Sequence, residues 1–549
     1  MLPFVNRVLK FRNRQRSLVS GLWHRPPKYI DFRRRSPAGN DVGGAFFWSK
    51  SMSKFKQWFQ GPQDITEAEA VEDYAVGRVP SHYRWPIPAI ILVLLGNSTA
   101  MFWFSLGADM SNQVGWPMLL LPIAYMVVFA TLIGSCIMKM ASKEGLSLNL
   151  MTRGLGFGYM GSAFTSLIYA VNFIFYFLFE GTIVSHAIAN YAGVPVNSFT
   201  GIAIFALMGL AAIWFVWKGM SSMQFLQTWG VPIFILLFGF CIWQLTHHYP
   251  SVGFSGWTPG SHVDSNSLWL VMNMANGQIV FQGLMATDYG RFARPGISHK
   301  GTATIMLGML IPIVVVMLFG AFMAYTLLPH IEGTDVWSQA MDPGFVFPLI
   351  IGVVGVFFAV ITQVRINVLN LYSGSIALSN TMDMAFNFRP GRQWWMLLVW
   401  LMGVVFYIFN ILQYTGTFLS ITGILTNTWV FIILADYFIC RKMLNLAPSD
   451  FVEFRKEYLR MWNPSGVIAL CAAVAVGAAG VLGAYPMVYA SFIAMFIGPV
   501  LHVAISVLTR GRYYFRTFPA DMPTSWVPSA SCHSPKPALM PLLEKETEK

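Results

Sequence analysis

Twelve apolar stretches follow one another along this chain of 549 residues, and each is long enough to cross a lipid bilayer. They lie near residues 86–108, 115–138, 161–190, 199–217, 229–246, 267–286, 302–328, 344–379, 394–414, 417–438, 465–485 and 488–509. A transmembrane helix needs about 20 mostly apolar residues. Only 11% of the residues are charged, against about 25% in a soluble domain. The sequence therefore predicts an all-α integral membrane protein with about twelve transmembrane helices, called spans here in chain order.

Among the connections between the spans, only alternate ones contain basic residues. Lys and Arg follow the second, fourth, sixth, eighth and tenth spans, whereas the odd-numbered connections contain neither. Because positive residues accumulate in cytoplasmic loops, this parity predicts that both termini are cytoplasmic, in an inner (plasma) membrane. The net charge of +12 follows the parity of the loops, so we expect the lipid bilayer, and no nucleic acid, as a partner.

The terminal segments differ in composition from the spans. Residues 1–84 are predicted to form a cytoplasmic N-terminal region, and residues 510–549 a cytoplasmic tail rich in Pro and Ser that is predicted to be disordered. Residues 1–51 are basic and lack the apolar core of a secretory signal. They are either an upstream extension, with Met52 as the true initiator, or a basic cytoplasmic arm.

Two kinds of chemistry lack their usual sequence patterns. The five cysteines show no paired or metal-ligand spacing, so we predict neither a disulfide framework nor a metal site. The sequence has no HExxH, no GxSxG and no His-rich cluster. These motifs carry the metal or nucleophile of many enzymes, so we expect no enzyme and no cofactor.

Polar residues interrupt two of the spans near their middle. Residues 96–99 (GNST) interrupt the first span and residues 276–278 (NGQ) the sixth. Interrupted helices five spans apart indicate an inverted-repeat carrier, in which freed backbone groups bind substrate or ion. The alternative for each break is that small residues merely allow helices to pack closely.

Five segments within about residues 77–508 resemble a known family. The first span contains VLLGNSTAMFWFSLGADM, and EGLSLNLMTRGLGFGYMGSAFTSL leads into the third. ANGQIVFQGLMATDYGRFARP lies at the sixth span, NVLNLYSGSIALSN at the eighth and ILADYFICRK at the end of the tenth. These segments resemble the nucleobase:cation symporter-1 family, which includes purine/cytosine permeases and hydantoin and allantoin transporters.

The resemblance implies a five-plus-five inverted repeat (LeuT-like) with broken first and sixth spans, plus two extra helices. The repeats correspond to residues 85–246 and 247–438, and the two additional transmembrane helices to 439–509. It also implies a secondary carrier that binds a ring-shaped substrate near the middle of the membrane.

The third span carries two candidate substrate-binding residues. Family members usually place a Trp there to stack on the substrate, and the matching residue is Tyr176, which is otherwise a core aromatic in a Phe-rich helix. Glu180 lies one turn further on the same face. A carboxylate in an apolar span is expensive and usually functional. Four roles stay open for it: accepting from ring N–H groups, binding an amine, carrying a coupling proton or pairing with Arg365.

The remaining candidates lie at the expected breaks, on the sixth span and on the eighth. They are Asn97, Ser98, Gly277, Gln278, Phe281, Asn367 and Asn370. Gln278 stands where hydantoin-type relatives have an aromatic residue, and Phe281 lies about one turn away. The amide of Gln278 offers both a donor and an acceptor to a heterocycle edge.

Arg365 interrupts the apolar eighth span with a positive charge. In sodium-coupled relatives this span supplies two hydroxyl groups to the ion, and the matching residues are Arg365 and Ile366, which cannot ligate a cation. We therefore predict that the guanidinium takes the place of sodium, bonds the carbonyls at the break in the first span and makes transport sodium-independent. The alternative is that Arg365 extends to the inner membrane boundary.

These observations predict a secondary active transporter that imports a nucleobase or a related small heterocycle by alternating access. Arg365 and Glu180 are the candidate coupling residues, and protons are a candidate coupling partner. One alternative is a carrier of the same fold for an amine or amino acid, which Glu180 favours. Another is a transporter-like sensor without net flux.

Overall fold

The structure is a computed structural model that describes residues 74, 77–217, 219–260, 266–333, 335–388, 390–409 and 415–519. Residues 1–51 and most of the C-terminal tail, for which the sequence makes separate predictions, lie outside these ranges. The described chain is helical, apart from two isolated backbone bridges, Trp85 with Ala293 and Leu459 with Phe515.

Fourteen helices build the part of the chain that spans the membrane. They are α1 (Ile87–Ser98), α2 (Phe102–Val114), α3 (Leu120–Glu144), α4 (Gly161–Ala192), α5 (Phe199–Trp217), α6 (Met220–His248), α7 (Ser267–Gly290), α8 (His299–Leu327), α9 (Pro343–Ile351), α10 (Val353–Phe386), α11 (Arg392–Ile408), α12 (Gly416–Met443), α13 (Pro464–Val481) and α14 (Ala490–Leu508). Shorter helices, such as Leu148–Thr152 and Val336–Ala340, lie in the connections.

The number of membrane-crossing helices agrees with the prediction of about twelve. Nine described helices are long and apolar enough to cross a bilayer, and the bent pair α1–α2 is a tenth candidate. Two further predicted spans are helices that fall outside these limits. The helix α7 is long enough but carries several amide side chains, and α11 has only 17 residues.

The first span is broken where the sequence predicted it. The axes of α1 and α2 differ by 55°, and residues 99–101 separate the two helices. At the bend, Trp103 Nε1 donates to the carbonyl of Asn97 at 2.9 Å, and Thr99 Oγ1 donates to the carbonyl of Leu95 at 2.8 Å. Side chains thus bind carbonyls at the bend, which matters because a bilayer offers no water to do so.

The predicted break in the sixth span is wrong, because α7 runs as one helix from Ser267 to Gly290. Its amides bond sideways instead of replacing backbone bonds. Asn276 Nδ2 donates to Ser491 Oγ of α14 at 2.8 Å, and Tyr125 of α3 donates to Asn276 Oδ1 at 2.7 Å. Gly277 serves close packing, since a Cβ there would lie 2.9 Å from the carbonyl oxygen of Leu419.

The eighth predicted stretch, 344–379, divides into a short helix and the span itself. Gly352 has a φ of +58° and separates α9 from α10. Asp342 caps α9 by accepting from the backbone N–H of Gly344 at 2.8 Å. The helix α10 then packs along α4, while α7 packs along α3. These contacts bring α4, α7 and α10 to the bend of the first span.

Candidate functional site

A small closed cavity of about 10 Å³ lies at the bend of the first span. Its walls come from the bend, α4, α7 and α10, and are formed by Asn97, Phe102, Trp103, Tyr176, Glu180, Phe281, Gln282, Met285, Ile366 and Asn370. A volume of this size holds about one water molecule. We call it the central cavity. A substrate has to expand this space before it can bind.

Five of the nine predicted substrate-binding residues line the central cavity: Asn97, Tyr176, Glu180, Phe281 and Asn370. They lie up to 273 positions apart in the sequence (370 − 97). The fold therefore gathers them from four helices. The cavity combines aromatic rings, amides and one carboxylate, which is the mixture of apolar surface and a few polar groups found in small-molecule sites.

The other four predicted residues lie behind the wall of the central cavity. Ser98 Oγ donates to the carbonyl of Met309 in α8 at 2.7 Å, and Gly277 packs against α12. Gln278 and Asn367 hold lining residues in place, because Gln278 Nε2 donates to the phenol oxygen of Tyr176 at 2.9 Å and Asn367 Oδ1 accepts from Asn370 Nδ2 at 3.0 Å.

Five lining residues were not predicted from the sequence: Phe102, Trp103, Gln282, Met285 and Ile366. Three of them had a usable signal. Phe102 and Trp103 follow directly after the GNST break, so their rings are bound to lie near any site formed there. Gln282 lies one turn after Gln278, on the same face of α7.

A chain of amide hydrogen bonds connects three of the helices around the cavity. Asn97 Nδ2 donates to Gln282 Oε1 at 2.7 Å, and Gln282 Nε2 donates to Gln278 Oε1 at 3.3 Å. Gln278 then donates to Tyr176. The ring of Tyr176 packs on Phe281 with centroids 4.6 Å apart and an interplanar angle of 30°. The chain fixes the orientation of Tyr176, the predicted stacking residue.

Glu180 is buried, with 2% of its surface exposed, and its partners are amides. Its carboxylate accepts a short hydrogen bond from Gln363 Nε2 of α10. It also lies near the backbone N–H groups of Met101 and Phe102, at the beginning of α2, and the N–H of Met101 donates to Gln363 Oε1 at 3.3 Å. A carboxylate at a helix N-terminus is stabilised by the unpaired N–H groups and the helix dipole. Glu180 therefore joins α4 to α10 and to the bend of the first span.

Arg365 lies on α10 but faces α6 and not the central cavity. Its Nε donates to Gln227 Oε1 at 2.8 Å, and its side chain packs against Gly230, where a Cβ would lie 2.3 Å from Arg365 Cδ. Nη1 and Nη2 have no hydrogen-bond partner in the described part of the chain. The expected contact with the carbonyls at the break is therefore wrong. The side chain of Gln227 lies between the Arg365 guanidinium and the bend of the first span, because a Cβ at Gly96 would lie 2.4 Å from Gln227 Nε2.

The alternative position for Arg365, at the inner membrane boundary, also disagrees with the structure. Its side chain is fully buried, with its guanidinium 6.0 Å from the ring centre of Phe234 in α6. The charge is therefore enclosed within the bundle, as is usual for the few charged residues at membrane depth.

A larger, open cavity of about 390 Å³ lies beside the central cavity. It is on the side of the connection between the seventh and eighth spans, which the sequence predicts to be extracellular, and we call it the vestibule. It is lined by Phe102, Ser105, Leu106, Asp109, Phe179, Thr182, Ile183, His186, Ser338, Met341, Asp342, Pro343 and Leu419. Phe102 lines both cavities and meets Phe179 edge to face at 5.2 Å, so aromatic rings separate them.

The opposite side of the central cavity is closed by aromatic contacts and hydrogen bonds. Tyr289 of α7 stacks on Tyr372 of α10 with centroids 5.4 Å apart. Tyr169 of α4 donates to Asp288 Oδ2 at 2.9 Å. The N-terminal approach to α1 crosses the same side, where Arg84 Nη1 donates to the carbonyls of Arg291 and Ala293. The chain is therefore closed towards the side that the sequence predicts to be cytoplasmic.

One cluster in the described chain has the atoms to hold a metal ion: Asp436, Cys440 and His502, whose ligand atoms lie within 4.8 Å of one another. Asp436 is already engaged by Arg441 Nε at 2.8 Å, by His502 Nε2 at 3.1 Å and by the hydroxyl of Tyr514. A guanidinium bound to the same carboxylate repels a cation. The geometry fits a buried ion-pair network better than a metal site.

Comparison with known proteins identifies the family. The sequence profile described as "Permease for cytosine/purines, uracil, thiamine, allantoin" matches residues 85–504. The chain belongs to this permease family. It is therefore a multi-pass membrane transporter and not an enzyme, as the sequence predicted. No curated protein matched the sequence.

Three solved structures with a similar fold are distant in sequence. Mhp1, a nucleobase-cation-symport-1 family transporter, in a closed conformation with bromovinylhydantoin bound, is 13% identical with a TM-score of 0.60, covering 78% of this chain and 93% of that chain. The inward-facing conformation of Mhp1 is 13% identical with a TM-score of 0.59, and the match covers 79% of this chain and 92% of that chain. A Na⁺-coupled sialic acid symporter in a substrate-bound outward-open state is 13% identical with a TM-score of 0.55, and the match covers 84% of this chain and 96% of that chain. These similarities establish that the permease has the fold of alternating-access transporters.

Proposed function

We propose that this permease is a secondary carrier that imports a nucleobase or a related small nitrogen heterocycle. The main support is that five residues chosen from the sequence for a ring-shaped substrate line one central cavity. Tyr176 and Phe281 offer ring faces, and Asn97 and Asn370 offer amide groups at the edges. Ring stacking and a few convergent hydrogen bonds are what a flat heterocycle needs. The substrates named for the family are also small nitrogen heterocycles.

Transport by this carrier is proposed to be independent of sodium. Arg365 places a permanent positive charge at the interface of α6 and α10, next to the bend of the first span. Arg365 is bonded to Gln227, which packs against the bend, so its guanidinium lies near the place that the family resemblance assigns to sodium. A guanidinium supplies no oxygen ligand for a hard cation. Protons, exchange or the substrate gradient are then the remaining sources of driving force, and Glu180 is the nearest candidate for a coupling proton.

The carrier is proposed to lie in the inner (plasma) membrane with both termini cytoplasmic. The parity of Lys and Arg in the connections supports this orientation. It places the vestibule outside the cell and the Tyr289–Tyr372 contact inside. Import is the proposed direction, and a vestibule that opens outwards is compatible with it.

A second candidate is a carrier for an amine or amino acid. One observation favours it: Glu180 is the only residue with a carboxylate among those that line the central cavity. An ammonium group is a natural partner for a carboxylate among aromatic rings.

The deciding experiment is uptake into proteoliposomes, preceded by a thermal-shift screen of the purified protein. Ligands that bind the native state raise its melting temperature. The panel contains uracil, cytosine, adenine, allantoin, hydantoin, thiamine, spermidine and alanine. Stabilisation and saturable uptake of at least one ring compound support the proposal. If spermidine or alanine are taken up and no ring compound is, the heterocycle carrier is excluded.

A further inference from the structure

Among the described residues, the central cavity contains one buried side-chain acceptor without a donor, Asn370 Oδ1. Asn97 Nδ2 is bonded to Gln282, Gln282 Nε2 to Gln278, and Trp103 Nε1 to the carbonyl of Asn97. The hydroxyl proton of Tyr176, whose oxygen accepts from Gln278, and the second amide protons of Gln282 and Asn370 are further donors. By contrast, Asn370 Oδ1 has no partner within the described chain, although Asn370 is only 1% exposed. A buried acceptor without a donor is costly.

Among the described residues that line the central cavity, the only charged side chain is the carboxylate of Glu180. No lysine, arginine or histidine is among its lining residues, and the partners of the Glu180 carboxylate are Gln363 and backbone N–H groups. Arg365 lies only two positions from Gln363, but it faces α6 and bonds Gln227. Amides do not neutralise a buried carboxylate, so its charge is compensated by a proton or by a cation, and a cationic ligand would supply the second.

Four aromatic rings line the central cavity together with this carboxylate. Phe102, Trp103, Tyr176 and Phe281 all line the central cavity, and Phe102 meets Tyr176 edge to face at 5.4 Å. The faces of aromatic rings carry negative partial charge and attract cations, whereas they repel anions. The rings and the carboxylate therefore select for the same kind of ligand.

The vestibule continues the bias outwards. Asp109 and Asp342 line it, and no lysine or arginine does. Asp342 is engaged by His186 Nδ1 at 2.7 Å, whereas the side-chain contact found for Asp109 is to Gln113 at the long distance of 3.5 Å. A cleft lined by charge of one sign concentrates ligands of the opposite sign.

From these observations, and resting on the proposed carrier function, we infer that the substrate is a cation. It is a small planar nitrogen base that carries a positive charge when bound and donates N–H groups to Glu180 and Asn370. The ligand then supplies both things the central cavity lacks, a donor for Asn370 Oδ1 and a counter-charge for Glu180. The vestibule collects the same cation from outside.

The first test compares ligands of one shape that differ in charge. Benzamidine is a cation at neutral pH and benzamide is its neutral counterpart; 4-aminopyridine and aniline form a second pair. Each is measured as a competitor in proteoliposome uptake and by thermal shift of the purified chain. We expect each cation to bind at least about tenfold more tightly than its neutral partner. Glu180→Gln should abolish the preference, while Glu332→Gln, an exposed carboxylate that lines neither cavity, should keep it.

The second test measures the vestibule without any substrate. Ser105→Cys is made in a background without the five native cysteines and is labelled with a cationic or an anionic methanethiosulfonate. The ratio of the two rates, relative to that of a free thiol, should favour the cation by about fivefold or more and fall with Asp109→Asn. A ratio equal to that of the free thiol, or one that favours the anion, overturns the vestibule's role.

The outcomes separate this inference from the proposed function. If neutral heterocycles are transported and their charged partners are excluded, the carrier function stands and the cation is wrong. If no ring compound is transported but benzamidine binds and loses its preference in Glu180→Gln, the cation inference stands and the heterocycle class is wrong. Equal affinity for both members of each pair, in wild type and Glu180→Gln alike, overturns the inference.

Discussion

The phenol of Tyr176 accepts a hydrogen bond of 2.9 Å from Gln278 Nε2, which joins α4 to α7 at the wall of the central cavity. The same ring packs on Phe281, also of α7, with centroids 4.6 Å apart. Tyr176 is therefore held at its edge and on its face by one helix. A ring fixed in this way loses little conformational entropy when a flat ligand stacks on it.

Tyr176→Phe should keep most of the affinity for a transported ring compound, because the stacking surface remains and only the bond to Gln278 is lost. Tyr176→Ala should weaken binding by about 1–3 kcal/mol, the usual value of aromatic stacking on a base. Isothermal titration of the purified variants measures both. Equal affinity in wild type and Tyr176→Ala would remove this residue from the substrate site.

Replacing Glu180 should affect stability in proportion to the partners it leaves unpaired. Glu180→Ala removes the carboxylate that faces the backbone N–H of Phe102 and accepts from Gln363 Nε2, which keeps only its bond of 3.2 Å to the carbonyl of residue 180. An unpaired buried polar group costs about 1–3 kcal/mol, so the melting temperature should fall. Glu180→Gln keeps an acceptor and should melt close to wild type. A large loss of stability in Glu180→Gln as well would mean that the charge itself holds the bend.

The sequence was informative where a feature is local. The break in the first span follows from four small or polar residues in an otherwise apolar run, and the structure has it at that place. The same logic failed for the sixth span. Its Asn276 bonds Ser491, 215 positions away, and Asn427 donates to its carbonyl from α12. Whether an amide breaks a helix or bonds to a neighbour depends on a partner that the local sequence does not contain.

The site was predicted in part for the same reason. Tyr176 and Glu180 share one face of one helix, so their proximity follows from helical spacing. The partner of Arg365 is Gln227, 138 positions earlier, and only packing decides that the guanidinium turns towards α6. Phe102 and Trp103 were missed because aromatic residues are common in a chain with 45 Phe and 19 Trp.

The contact between His186 and Asp342 should hold the vestibule partly closed. His186 of α4 lies 2.7 Å from Asp342, the residue that caps α9. The helices touch there, since a Cβ at Gly344 would lie 2.7 Å from His186 Cβ. His186→Ala should therefore speed labelling of a cysteine placed at Thr182, and Gly344→Ala should do the same by pushing the helices apart. His186→Gln, which can still donate to Asp342, is the control. Equal labelling rates in the Thr182→Cys protein and in its three variants would show that the contact between His186 and Asp342 does not restrict access to the vestibule.

Close packing of α2 on α8 should make Gly107 intolerant of any side chain. A Cβ at Gly107 would lie 2.0 Å from the carbonyl oxygen of Met317, and one at Gly320 would lie 2.2 Å from that of Phe104. Gly107→Ala forces the two backbones apart and should cost about 1–3 kcal/mol of stability. Gly239→Ala in α6 has nothing within 4 Å of the new Cβ and should be neutral or slightly stabilising. The melting temperatures of Gly107→Ala and Gly239→Ala are compared by thermal unfolding. Similar values would show that α2 and α8 can move apart at little cost in stability.

Replacing sodium by choline should leave uptake unchanged, because Arg365 already provides the positive charge beside the bend of the first span. Arg365→Ala should lose activity, since Gln227 Oε1 loses its donor and the interface loses its charge, although Gln227 Nε2 can still donate to the carbonyl of residue 365. Arg365→Lys should retain some activity, because the charge survives while the planar fork does not. Gln227→Leu separates the two effects: it removes the hydrogen bond but keeps the guanidinium, so it should be milder than Arg365→Ala. The readout is initial uptake into proteoliposomes with sodium or choline outside. A steep dependence of the wild type on sodium would overturn the role given to Arg365, and a sodium requirement that arises only in Arg365→Ala would strengthen it.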